Sequence, residues 1–530
     1  MERTGQMDNR ALRDRAEEVF QFALGCTMNR PKLQNLYRKI DQCYQQLDLP
    51  MRVAIVGMIK AGKSTMMNAL LGEKIVATGT VEATFNVNWL KYGESKSLLV
   101  HYKNGSPPEP KSFEELEALT LRAEANSDSF NYLLSIKYIE LSYPNPILKK
   151  FNLIDTPGLA SAYEADSENT KNFLQLHGQE LTQATQEEAS NADAVIYLFA
   201  KSFSESSQNT MAEFQGAAFG QATPINAIGV LTKVDDYWSD GEEPILKGRE
   251  ITERLQSEHL RGVLYTTLPV CGLLAFGAQT LTPEEFDTLM QLAALPESRL
   301  RVLVKNATRL REREYPKEPE IPPADKRKLV LDRLGQYGIW LAANLIRSGT
   351  REKELLARKL FQRSGASELL DLIKSHFGNR AFLIKLSVAL QQIKAACFME
   401  KQRLEGADFQ MVADIAGEFE RLEVEEQGFQ QLAVLHSYYQ SELDFNKDEV
   451  RQLQAVTGEN GTSLKARLEL GENATDAEMT HVAQQRVQSW RQRANDYMSA
   501  DSQTIEAATV IAHSYEQILY QIAQQEDSYA

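Results

Sequence analysis

Cysteine is scarce in this chain. Cys26, Cys43, Cys271 and Cys397 are the only four among 530 residues. None has metal-ligand spacing, so neither a zinc site nor a disulfide framework is implied, and a reducing cytosol fits. Positive charge is also in short supply. Lys and Arg number 58 against 73 Asp and Glu, for a net charge of −15. With an isoelectric point near 5.2 there is no overall electrostatic pull towards nucleic acid. No run of eighteen apolar residues occurs, so a membrane-spanning helix is not expected. The start, Met1-Glu2-Arg3-Thr4-Gly5, runs into mixed charges and has no apolar signal core. What is present is ordinary for a globular protein: 43% hydrophobic and 25% charged residues. The length exceeds what one core fills and predicts two or three domains.

The most informative stretch is Gly57-Met58-Ile59-Lys60-Ala61-Gly62-Lys63-Ser64, a match to the phosphate-cradling pattern G-x-x-x-x-G-K-[ST]. Its context is right. Arg52–Val56 reads as a buried strand, and Ser64–Leu71 reads as a helix ending at Gly72. The chemistry requires that order, because the helix N-terminus supplies amides and a positive dipole for phosphate. Lys63 is placed to bridge β- and γ-phosphates, Ser64 to offer a hydroxyl to Mg²⁺, and the amides from Ile59 to Ser64 to neutralise the bridging oxygens, with Thr65 also among the nucleotide-binding residues.

Three further stretches decide which nucleotide. Phe151–Ile154 reads as a buried strand running into Asp155-Thr156-Pro157-Gly158. An aspartate at a strand end can hold Mg²⁺ through water, and the Gly158 amide can approach a γ-phosphate unhindered. Ala227–Leu231 reads as another strand, ending in Thr232-Lys233-Val234-Asp235. The Asp235 carboxylate can take the N1–H and N2–H₂ donors of guanine, a pair that adenine lacks, while the Lys233 stem can lie along the purine face. Leu268-Pro269-Val270-Cys271-Gly272 can bring a backbone amide, that of Gly272, to guanine O6.

These residues resemble the dynamin family of large GTPases, most of all the bacterial dynamin-like proteins. The resemblance rests on K-A-G-K-S-T-x-x-N-A-L-L-G at 60–72, D-T-P-G at 155–158 and T-K-V-D at 232–235, and covers roughly 50–280. It implies an enzyme that hydrolyses GTP to GDP with Mg²⁺. It also implies a switch threonine about twenty residues past the loop; Thr84 matches best, with Thr78 and Thr80 as competitors. The metal set is then Ser64, Thr84 and Asp155. Two positions depart from relatives. Leu159 follows Gly158, so no glutamine of the Ras type orients water, and Ile59 stands where dynamins carry a polar loop residue. Lys60 stands near where many dimer-activated GTPases hold potassium. Its ammonium either does that work in cis or points to solvent.

The fold expected is an α/β P-loop GTPase domain, a mostly parallel sheet with helices on both faces, joined to a large all-α bundle forming neck and stalk. Residues 1–50 read as helices joining that neck, 51–300 as the GTPase domain, 301–325 as a proline-rich linker and 326–530 as the stalk. The linker is expected from four prolines, Pro316, Pro319, Pro322 and Pro323, which cannot continue a helix. Ile511, Tyr515, Ile518 and Ile522 form an apolar stripe whose candidate partners are the N-terminal helices.

Charge is uneven. Residues 325–403 hold 16 Lys and Arg against 7 Asp and Glu, and residues 404–530 hold 8 against 23. The basic part, with Trp340, Phe377, Phe382 and Phe398 interleaved, either touches anionic lipid or neutralises the acidic part within one bundle. Three functions follow from the resemblance. One is a mechanochemical GTPase that self-associates through its GTPase domain and moves a stalk at the inner face of a membrane. The others are a regulatory switch acting on a related GTPase or other protein partner, and a low-turnover scaffold.

Overall fold

A computed structural model describes residues 5–57, 61–76, 86–120, 128–156, 192–200, 226–238, 243–260, 264–439, 442–461, 463–471, 473–497 and 500–529. Its centre is a nine-stranded sheet in the order β4-β3-β5-β2-β6-β1-β7-β8-β9. The strands are β1 (Met51–Gly57), β2 (Asn88–Tyr92), β3 (Ser97–Tyr102), β4 (Glu109–Lys111), β5 (Ile136–Tyr143), β6 (Phe151–Asp155), β7 (Ala194–Ala200), β8 (Ala227–Thr232) and β9 (Thr267–Val270). From β6 through β1, β7 and β8 to β9 every pairing is parallel. These strands read as near-continuous apolar runs because both faces are covered. The other half is mixed. β2 runs parallel to β5 and antiparallel to β6, and β3 is antiparallel to both its neighbours. Its strands alternate buried and open positions, as one-sided strands should.

The rest is helical. The N-terminal helices Gly5–Thr27 and Gln34–Leu47 pack on each other and against Asn379–Lys401 and Gly406–Glu425. Phe20 meets Phe419 edge-on at 5.1 Å in that seam. The stripe Ile511, Tyr515, Ile518 and Ile522 of the Ser502–Tyr529 helix is buried. Its principal partners are Asp476–Ala494 and Gln427–Tyr439, not the N-terminal helices proposed from sequence. The stripe specifies burial; it carries no information on which apolar face lies opposite.

The stretch expected as a proline-rich linker carries the helices Glu297–Val304 and Ala307–Glu312 and then a tight turn structure. Arg327, fully buried, organises it. Its guanidinium donates to the carbonyls of Pro322 (2.7 Å), Arg309 (3.1 Å) and Arg313, and lies 5.1 Å from the Tyr315 ring centroid. Proline ends the helix as expected, but a charged side chain four residues later ties down the freed carbonyls.

The charge pattern resolves into local pairs. Basic residues of 325–403 meet carboxylates near the sheet: Lys326 with Glu284, Arg333 with Glu285 and Arg363 with Glu243. Lys394 pairs with Glu423 in the acidic segment. The acidic Gly406–Glu425 helix also meets N-terminal arginines, Arg15 with Glu425 and Glu426, and Arg30 with Asp408. Of the interleaved aromatics, Phe377 and Phe382 are buried and Trp340 packs 6.2 Å from Trp238; Phe398 is exposed. The segment Arg380–Lys401 is long and apolar enough to cross a membrane, with mean hydropathy 1.4, and half of that window is buried inside the protein.

Candidate functional site: a guanine-nucleotide cleft

β1 delivers the phosphate loop at the sheet centre. Gly57 ends the strand because nothing larger fits: a Cβ there would stand 2.4 Å from the Leu198 carbonyl oxygen on β7. Gly62 adopts φ 88° as the cap of the Lys63–Leu71 helix, a left-handed turn that favours glycine. Lys63 is nearly buried and its ammonium donates to the Gly57 carbonyl at 3.1 Å. Ser64 and Thr65 follow in the first helical turn, half-buried.

The other elements converge on this loop. Asp155, fully buried, ends β6 directly opposite Ile55 in the parallel register. The Thr156 hydroxyl donates to the Ile55 carbonyl at 2.9 Å, fixing the exit from β6. The Thr232 hydroxyl lies 2.7 Å from the Ala61 carbonyl and 3.1 Å from that of Phe199. Thr232 thus holds the base loop against the phosphate loop, a tying role that its place beside Lys233 and Asp235 had not revealed. Lys233 is exposed, with φ 55° turning the chain into the Val234–Tyr237 turn.

Asp235 is seated by a neighbour that sequence reading passed over. The Cys271 thiol donates to its Oδ1 at 3.3 Å. Burial, with the Asp235 charge beside it, pushes the Cys271 thiol well up, so it stays a protonated donor. Burial likewise raises the Asp235 carboxyl, and the Cys271 hydrogen bond opposes that shift. Gly272 follows at the start of the Gly272–Gln279 helix, where a Cβ would stand 3.6 Å from Thr65 Cγ2. Base loop and phosphate-loop helix are therefore adjacent.

Asn68 was also missed, although it lies in the motif run. Its side chain accepts from the amides of Ile75 (2.8 Å) and Val76 (3.0 Å) and donates to the Val76 carbonyl (2.9 Å). It anchors the segment that leads to Thr78, Thr80 and Thr84. Those threonines, Lys60 and Gly158 lie outside the described residues. The Ser64 hydroxyl and Asp155 carboxylate are hard oxygen donors, the type Mg²⁺ takes alongside waters and substrate phosphates. Among the described residues no group of three or more His, Cys, Asp or Glu is arranged to hold a metal ion.

A phosphate loop, a strand-end aspartate and an aspartate-bearing base loop, in this order on one sheet, are the frame of a GTP-hydrolysing domain. Residues 53–234 match the dynamin family. That segment is a dynamin-type GTPase domain. The chain is similar to the isoniazid-induced protein IniC of Mycobacterium tuberculosis (strain ATCC 25618 / H37Rv), 26% identical over 463 residues, spanning 87% of this chain and 88% of that protein. Dynamin-like protein 2 of Campylobacter jejuni is 31% identical over 144 residues, 27% of this chain and 22% of that one. A solved structure of an oligomerised bacterial dynamin pair, described as sensing and tethering membranes, aligns over 97% of this chain and 91% of its own at 14% identity and TM-score 0.34.

Proposed function

We propose that this chain is a dynamin-family GTPase that couples GTP hydrolysis and nucleotide-dependent self-association to movement of its helical bundle at an anionic membrane surface, on the cytoplasmic side. The observation that carries this reading is the seam between base loop and bundle. The Cys271 amide donates to the Ser364 carbonyl at 2.8 Å. Next to it Gly365, at φ 80°, lies so close to β9 that a Cβ would stand 2.3 Å from the Pro269 carbonyl oxygen. A shift of the base loop on nucleotide exchange is therefore transmitted directly to the chain entering the Ala366–Leu372 helix.

Within the cleft, Lys63 and the loop amides bind and orient the triphosphate, and Asp235 with Gly272 reads guanine. Mg²⁺ held through Ser64, Thr84 and Asp155 would offset charge between the β- and γ-phosphates. Lys60 is the candidate for that work between α- and γ-phosphates in cis.

The far end of the bundle supplies the membrane contact. Two helical hairpins turn there, at 28–33 and 402–405, joined by Arg30–Asp408 and by the Arg403 guanidinium on the Lys32 carbonyl. Met28, Phe398, Met399 and Phe409 are exposed around this end, with Lys32 and Arg38 also open to solvent. Apolar side chains amid basic ones suit peripheral attachment, each cation contributing about 1 kcal/mol near an anionic surface.

The test is the specific GTPase rate as a function of protein concentration, with and without phosphatidylglycerol vesicles. Self-activation predicts a rate per molecule that rises with concentration and rises again on vesicles. A constant rate with no vesicle binding overturns the mechanochemical reading; it leaves a regulatory switch if turnover is appreciable and a scaffold if it is not.

A further inference from the structure

The Ala324–Arg347 helix is interrupted at Gly335, where φ is 70° and ψ 177°. That region of backbone space is essentially closed to residues with a side chain. The break falls where this helix crosses Gly272–Gln279, the helix that follows the base loop. It is clamped on both sides. Before it, the Arg333 carbonyl oxygen lies 2.3 Å from where a Cβ of Gly277 would be, and the Arg333 guanidinium donates to the Thr280 carbonyl at 2.7 Å. After it, Gly338 lies against Leu274, 3.0 Å from a built Cβ to Cδ1. At the break itself a Cβ on Gly335 would stand 3.6 Å from Asp235 Oδ2 and 3.5 Å from Leu273 Cδ2. Bare backbone therefore lines the space beside Oδ2, while Oδ1 already accepts from the Cys271 thiol.

We infer that Gly335 is a specificity-determining residue of the guanine site: its missing side chain keeps open the space beside Asp235 Oδ2 through which the exocyclic amine of guanine reaches the carboxylate. The inference rests on the reading of Asp235 as the guanine-binding carboxylate. It places part of the base site on a helix about a hundred residues beyond Asp235, outside the 53–234 match. The clamps at Gly277 and Gly338 keep the break in register, so a methyl group at 335 would meet the amine rather than swing away.

The experiment compares GDP with inosine diphosphate, whose base lacks only that amine, by titration calorimetry on wild type and Gly335→Ala. The wild type should prefer GDP. The variant should lose at least about tenfold more affinity for GDP than for inosine diphosphate, collapsing the preference. Equal losses for both would mean backbone strain alone and would overturn the inference. A ligand-side measurement covers the case in which Gly335→Ala does not fold. On the wild type, N2,N2-dimethyl-GDP should bind at least about tenfold more weakly than inosine diphosphate, because one of its two methyl groups must take the N1 side, towards Asp235 Oδ2 and the Gly335 backbone. Binding as tight as GDP would overturn it. An Asp235→Asn arm separates the two ideas. Unchanged GDP affinity there removes the guanine reading itself. Weakened GDP affinity there, with equal losses in Gly335→Ala, sinks only the role of Gly335.

Discussion

Asp235→Asn tests the base site most sharply because its effects on binding and on stability should have opposite signs. In the proposed guanine site the carboxylate accepts two base N–H donors, while the Cys271 thiol donates to Oδ1 at 3.3 Å. Two charge-assisted hydrogen bonds at about 1.5–3 kcal/mol each imply a loss of about 3–6 kcal/mol, or about 10²–10⁴-fold in GDP affinity. Xanthosine diphosphate, whose carbonyl can accept from the new amide, should gain. The nucleotide-free protein should behave the other way. Burial raises the Asp235 carboxyl, so its ionised form costs stability until a ligand compensates it. The neutral amide keeps the thiol's acceptor and sheds that cost, so the melting temperature without nucleotide should hold or rise. The pH dependence follows from the same shift. Base donors bind the ionised form, so wild-type GDP affinity should fall as pH drops through a value above the ordinary carboxylate range, and the variant should lack that fall. Calorimetric titrations with GDP and xanthosine diphosphate across pH, with thermal scans of both proteins, read all of these outcomes. Unchanged GDP affinity in the variant would refute the guanine assignment, and a large drop in melting temperature would mean that the binding loss is unfolding.

Lys63→Ala should cut GTP hydrolysis at least about 100-fold with circular dichroism unchanged; retained turnover would sink the phosphate-loop reading. Asn68→Ala leaves the Ile75 and Val76 amides without their acceptor, so multiple-turnover hydrolysis should slow while GDP affinity holds; an equal fall in both would make Asn68 a fold residue only. Arg327→Met strips three carbonyls of a buried cation and should cost about 3–5 kcal/mol in urea unfolding, with early proteolysis at 313–323; a change below 1 kcal/mol would contradict the anchoring role. Lys385 is nearly buried, donates to the carbonyls of Gln46, Leu47 and Leu49, and is pushed down by burial to about 8. Its folded value lies below the unfolded one, so between pH 8 and roughly 10.4 the unfolded chain holds the extra proton and stability rises with pH, by up to about 3 kcal/mol. The stability difference between wild type and Lys385→Met should show that rise across this window, and a flat difference would refute it.

How much was legible in the sequence depended on whether the physics was local. Gly57, Gly62, Lys63 and Ser64 announce themselves because a phosphate cradle needs its strand, turn and helix start within a dozen consecutive residues. Asp155 and the Thr232–Asp235 loop could be read because each stands at the end of an apolar strand, where a parallel sheet delivers its loops to one edge. The strands Ser97–Tyr102 and Ile136–Tyr143 alternate buried and open side chains, the local pattern by which a one-sided strand can be read. What escaped depended on contacts between distant segments. Cys271 as the donor to Asp235, Thr232 tied to Ala61, and the Ser364 carbonyl on the Cys271 amide each require knowing which loop lies beside which. The terminal stripe was read correctly as buried, yet its partner was misjudged, because apolar packing is non-directional and any complementary face satisfies the pattern. Arg327 made a proline-rich stretch into an ordered turn, since a long cation can reach carbonyls that local rules leave to water. Nothing local to Gly335 marks it; only the crossing of two helices, at a distance set by Gly277 and Gly338, places that break against the carboxylate of Asp235.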